Sequence, residues 1–133
     1  MKPDPEYLKT LLTAFRDAPN PTTDIRELED AGLDYNEPKF EFHMHLLRDQ
    51  GYIESDSRSG GFGLDKSADG YAQWSVIPLR LTAAGHEFAE AINDKKAFET
   101  VRKDFVGASI STIKEVVVAV AKAEISKRIG LHL

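Results

Sequence analysis

Four histidines, at positions 43, 45, 86 and 132, carry the most versatile chemistry in this chain, and their spacing argues against a metal centre. His43 and His45 stand two apart on an expected helix and therefore point in different directions. The i, i+4 pair with which a helix grips one ion is absent, and no acidic ligand falls at a matching offset. The absence of cysteine removes thiolate nucleophiles, disulfides and thiolate-bound zinc together, which fits a reducing compartment. Carboxylates gather at Glu27, Glu29 and Asp30, and again at Asp65 and Asp69, without the setting of a general acid and base. Gly60-Gly61-Phe62-Gly63 has the glycine content of a phosphate loop but neither a following Lys-Ser/Thr nor a helix start. The expectation is no catalytic residue, no metal, no cofactor and no enzymatic activity.

The elements that position these residues follow from periodicity and capping. Pro5 opens a first helix whose stripe is Tyr7, Leu8, Leu11, Leu12 and Phe15, ending before Pro19-Asn20-Pro21. Thr22 or Thr23 caps a short second helix with Ile25 and Leu28 inward, ended by Gly32. Asn36 or Asp34 caps a third, with Pro38 in its first turn and Phe40, His43, Met44 and Leu47 on its buried face. There His43 is expected at the core edge, with one ring nitrogen hydrogen-bonded. Gly51 ends that helix and Tyr52-Ile-Glu54 follows as a strand. Its antiparallel partner is Trp74 to Leu81, β-rich, with Pro78 indicating an edge position. The long polar, glycine-rich stretch between them, Ser55 to Gln73, reads as a mobile wing tip.

Thr82 caps the next helix, with Phe88, Ala91 and Ile92 inward, and His86 in its first turn is expected to touch the wing. Lys95 to Phe105 forms another helix, with Phe98, Val101 and Phe105 in register, and Gly107 ends it. Ser109 or Ser111 caps a final helix reaching about Ile129. That helix has two apolar faces: Ile113, Val116, Val117 and Val120 on one, and Val118, Ala121, Ile125 and Ile129 on the other. A strand over Val116-Val117-Val118 is the minority alternative. The fold class is α+β, mostly α: a winged helix-turn-helix with a long wing and a C-terminal helical extension. The winged-helix domain spans 1–94 and the extension 95–133, packing on it or on a second subunit.

The same residues carry a family likeness. Phe42-His43-Met44-His45-Leu46-Leu47 with Gly51-Tyr52-Ile53, Ile77-Pro78-Leu79-Arg80-Leu81-Thr82 with Gly85-His86-Glu87-Phe88, and Ile113-Lys-Glu-Val through Gly130-Leu131 resemble domain of unknown function family 2513, a family of bacterial and phage-associated proteins. The resemblance covers nearly the whole chain. It implies a winged helix-turn-helix with a mobile-element setting, and it implies no activity. The residue after the threonine, often tryptophan in such proteins, is Ala83 here, which would thin the packing under the wing.

Charge is uneven. Residues 1–64 carry seven Lys+Arg against thirteen Asp+Glu, a net of −6, within a chain of net −5. An acidic half opposes the counterion release that drives non-specific duplex binding. The outward positions of the third helix, Lys39, Glu41, Phe42, His45, Arg48 and Asp49, set two fixed cations against two carboxylates. Lys39, His45, Arg48, Arg58, Lys66 and Arg80 are the candidate DNA contacts, with Lys95, Lys96, Arg102 and Lys103 as a further basic cluster. Val117, Val118, Ala121, Ile125 and Ile129 are the candidate dimer contacts, through whichever face of the last helix the domain leaves uncovered. Two functions follow: a dimeric DNA-binding regulator of bacterial or prophage origin, or a winged-helix protein-interaction module without DNA binding. The expected partners are a second copy and either duplex DNA or a protein. No apolar run is long enough to span a bilayer and the N-terminus lacks a signal-peptide core, so the expected location is cytoplasmic.

Overall fold

The computed structural model describes residues 1–56 and 60–130, so the candidate contact Arg58 and the histidine His132 lie outside the described residues. The first three helices are α1 (Pro5–Arg16), α2 (Ile25–Asp30) and α3 (Pro38–Asp49). Asp4 caps α1 by accepting the backbone N–H groups of Glu6 and Tyr7, Pro5 sits in the first turn, and Leu8, Leu11, Leu12 and Phe15 are buried. The cap of α2 is Asp24, whose carboxylate takes the N–H groups of Arg26 and Glu27, not Thr22 or Thr23. Thr23 is otherwise engaged: its hydroxyl donates to Glu27 at 2.6 Å and its backbone pairs with Leu79. Neither Asn36 nor Asp34 caps α3. Asp34 closes a local turn by accepting from the Asn36 N–H at 2.9 Å, and Glu37 takes the cap position without a side-chain bond.

Strand β1 (Ile53–Ser55) pairs antiparallel with β4 (Leu79–Leu81), matching Ile53 with Leu81 and Ser55 with Leu79. On the other side of β4, Leu79 and Thr23 exchange backbone hydrogen bonds, both at 2.7 Å. Leu79 is therefore flanked on both sides, and Pro78 stands just ahead of this central strand instead of on an edge. The expected single strand from Trp74 to Leu81 is divided. Its start belongs to β3 (Ala72–Trp74), which forms a hairpin with β2 (Leu64–Lys66) in the register Leu64 to Trp74 and Lys66 to Ala72. The stretch expected as a mobile tip thus holds a second ladder, and Phe62 within it is 2% exposed.

Thr82 links sheet to helix. Its backbone N–H donates to the Tyr52 carbonyl, its hydroxyl donates to the Gly51 carbonyl at 2.6 Å, and it caps α4 (Ala83–Ile92) by accepting from the Gly85 N–H at 3.1 Å. Gly85 is required here, because a Cβ would run into the Tyr52 carbonyl oxygen. Ala83 is exposed and lies under nothing, so its small size thins no packing. His86 is also exposed, while Gly85, Phe88 and Ala89 take the inward positions of that turn.

In α5 (Lys95–Asp104) the buried residues are Ala97 and Val101, while Phe98 and Phe105 are half-buried. α6 (Ile110–Arg128), capped by Ser109, is helical throughout, including Val116–Val118. It lies against α4 and α5, and Ile110, Ile113 and Val117 join the same core as Leu8, Phe40 and Phe88. The architecture is α+β and mostly helical. Among the described residues no helix is long and apolar enough to cross a membrane.

Candidate nucleic-acid interface and the α6 face

α3 turns Glu41, His45 and Arg48 toward one side, where the β2–β3 hairpin closes over part of it, while Lys39 lies on the opposite side of the helix, against Asp4 and Tyr7 of α1. Phe62 is the plug. The His45 ring meets Phe62 edge-on with centroids 4.8 Å apart, and the Arg48 guanidinium lies 5.4 Å from the Phe62 centroid. Trp74 packs near Phe62, Phe40 and Tyr35, with ring centroids 5.7 to 5.8 Å apart. Edge-to-face aromatic contacts of this kind add about 0.5–1.5 kcal/mol each beyond the area they bury. Phe62, Trp74 and Tyr35 were not among the expected functional residues. The one signal was an aromatic bracketed by glycines in a polar stretch, where a wing tip has no need of one.

The described candidate cations are matched within the chain. Lys39 reaches Asp4 at 2.6 Å and lies over the Tyr7 ring, and Arg48 meets Asp49 at 3.3 Å. Lys66 reaches Glu41 at 2.6 Å, and His45 meets the same carboxylate at 3.4 Å. Arg80 pairs with Glu54 and lies 3.6 Å from Asp56. Lys66, with His45 nearby, holds the Glu41 carboxyl below its ordinary value. Burial opposes ionisation of Asp4, yet Lys39 and the first-turn N–H groups together keep that carboxyl low as well. In the second basic cluster, Lys96 pairs with Glu124, and Arg102 and Lys103 with Glu99.

His43 is a structural histidine with both nitrogens occupied, one more than expected. Nδ1 donates to the Lys39 carbonyl at 2.7 Å and Nε2 accepts the Asp4 N–H at 3.0 Å, tying the start of α1 to α3. Burial pushes its pKa down, so the neutral ring is favoured. Tyr7, beside it, has a buried hydroxyl without a hydrogen-bond partner among the described residues. Burial, with Glu37 and Asp34 nearby, pushes that pKa up to about 12. Among the described residues no three His, Asp or Glu side chains converge as ion ligands.

The candidate dimer residues of α6 separate. Val117 is 0% exposed in the domain's own core and is withdrawn from the contact set, because a residue already fully covered has no area left to bury on a partner. Val118 and Ala121 are half-buried, whereas Ile125 and Ile129 are 55% and 61% exposed. Two grooves border the helical half. One of about 840 Å³ runs between α1, α2 and Phe98, lined by Ala14 and Leu28 together with Glu6, Asp17, Glu27 and Asp30. The other, about 640 Å³, lies between α4 and α6.

Compared with known proteins, the chain matches no family model, no curated protein and no solved structure.

Proposed function

We propose that this chain is a protein-interaction module on a winged-helix-like fold, the fold its resemblance to family 2513 implies, and not a reader of duplex DNA. It is assigned no catalysis. The observation that carries the reading is the internal pairing of Lys39, Arg48, Lys66 and Arg80, beside an α3 face plugged by Phe62. The ion pairs themselves are weak barriers, about 0.2–1 kcal/mol each at a surface. What weighs more is that a carboxylate stands beside each of these cations, Asp4, Asp49 and Glu41 in turn and both Glu54 and Asp56 at Arg80, so a cation released to a phosphate leaves a carboxylate next to it.

The test is fluorescence anisotropy of the full chain against a random duplex library over a salt series. The expected result is no binding at physiological salt. Tight binding that weakens in Lys66→Ala for all sequences alike, with the salt slope reduced by about one, would overturn the proposal.

A further inference from the structure

The walls of the α4/α6 groove carry opposite charge. α4 contributes Glu87 and Glu90; α6 contributes Lys122 and Arg128 beside Val118 and Ile125. Each set recurs at intervals of three or four, which lines it up as a continuous stripe on its helix. Some charges are already used. Arg16, at the α4 wall, meets Asp17 at 2.9 Å and Glu90 at 3.8 Å, Glu87 lies 3.6 Å from Lys114, and Asp94 caps α5. Glu90 nevertheless keeps a side chain 69% exposed. Lys122, Arg128 and Lys95, which also borders the groove, have no carboxylate partner among the described residues. On the α6 wall an apolar strip runs beside the unmatched Lys122 and Arg128, across from carboxylates that are only loosely paired at 3.6 and 3.8 Å, and such a surface has its electrostatics completed by something else.

We infer that this groove is the interface of a homodimer, with α6 of one copy laid over α4 of the other. The inference rests on the protein-partner reading and names that partner as a second copy of this chain. The argument is one of symmetry. An isologous contact sets a patch against itself, rotated by a two-fold axis lying in the contact plane. When that axis runs along the groove, the acidic α4 wall meets the basic α6 wall twice, and Val118 and Ile125, which stand on the α6 wall, come against the partner's α4 wall, where Ala91 is the apolar residue. When it runs across the groove, like meets like. The charge pattern therefore selects a single arrangement. The α1/α2 groove has no such property: Glu6, Asp17, Glu27 and Asp30 face it with Lys9 as its cation, and Lys9 is drawn over the Phe98 ring at 4.3 Å. An acidic groove cannot close on its own copy.

The experiment is sedimentation of the full chain over a concentration series, with circular dichroism to show that each variant is folded. The wild type is expected as a dimer and Ile125→Glu as a monomer. Glu90→Lys and Lys122→Glu should each weaken association at least about tenfold. Placed together in one chain, the two reversals face each other across the interface and should restore association to within about threefold of wild type. A wild type that stays monomeric, or a double reversal weaker than either single change, overturns the inference. The outcomes also separate it from the reading it rests on: a monomer that ignores DNA removes the dimer alone. A dimer that binds random duplex tightly removes the protein-partner reading alone.

Discussion

On the α3 and hairpin side, Arg48, Lys66 and Arg80 each meet a carboxylate of their own chain, as Lys39 does behind α3, and Phe62 is sunk to 2% exposure. On the α4/α6 side, Lys122 and Arg128 meet none among the described residues, and Ile125 stands 55% exposed. One face has been closed by a hairpin that supplies both the apolar plug and a counter-charge; the other has no covering element among the described residues. The difference teaches that the presence of cations is a poor guide to what a surface binds. Whether they are matched within the chain is a better one.

The largest change to this contrast should come from Phe62→Ala. Truncating a fully buried phenylalanine costs about 3–5 kcal/mol where the surroundings cannot collapse. Here the loss falls on the contact between hairpin and α3, so the hairpin should open and expose Trp74. A red shift of tryptophan emission together with a lower urea midpoint is the expected result. Unchanged emission would show that the plug does not hold the face closed. Gly85→Ala comes next. Its Cβ would meet the Tyr52 carbonyl, forcing α4 off β1, and overpacking of this kind costs about 1–3 kcal/mol. Since α4 is one wall of the other face, association should weaken along with thermal stability; a variant as stable as wild type would mean that α4 can shift freely.

Much of this was legible because the helices announce themselves locally. Asp4-Pro5 and the stripe through Phe15 specify α1, and Leu81-Thr82 with Gly85 specifies the join of sheet to α4. The hairpin was not legible. β2 and β3 are three residues long, Leu64-Asp65-Lys66 has little β preference, and their register is set by Phe62 and Trp74 meeting across the fold. At the second helix three cap-forming residues stand in a row, and the choice among Thr22, Thr23 and Asp24 turns on the pairing of Thr23 with Leu79, a contact distant in sequence. The candidate cations could be named from the sequence; their partners could not, since Lys66 and Glu41 lie 25 residues apart. The two apolar faces of α6 were equally visible, and only packing shows that Val117 belongs inside.

A third effect depends on pH. His43 titrates below its ordinary value of 6.5, because burial disfavours the charged ring. Lys39 also opposes the charge, whereas the Lys39 carbonyl and Asp4 favour it; the facing rings are Tyr7 and Phe42. A depressed folded value means that the unfolded chain takes up the proton first. The contribution is thus whole above about pH 6.5 and is lost as pH falls through the folded value. Protonation would also set an Nε2–H against the Asp4 N–H. Thermal melts from neutral to mildly acidic pH should show falling stability, with that part of the slope absent in His43→Gln. An identical slope in both would assign the acid sensitivity to carboxylates instead. Asp4, held low, loses its contribution only below its ordinary 3.8, a separate window.

The smallest expected effect is the most direct test of matched against unmatched charge, and it needs two single changes side by side. Lys66→Ala removes the partner of Glu41, so at low salt it should cost the fold about 0.2–1 kcal/mol, and less as salt screens the pair. The loss should also fade in acid, because Glu41 is held below its ordinary 4.5: the pair contributes above that value and not once the carboxyl is protonated. Lys122→Ala removes a cation with no partner among the described residues, so urea denaturation at concentrations too low for association should leave its stability within about 0.5 kcal/mol of wild type. Its effect should appear in association alone. If instead Lys122→Ala destabilises the isolated chain while Lys66→Ala does not, the matched and unmatched faces have been assigned the wrong way round.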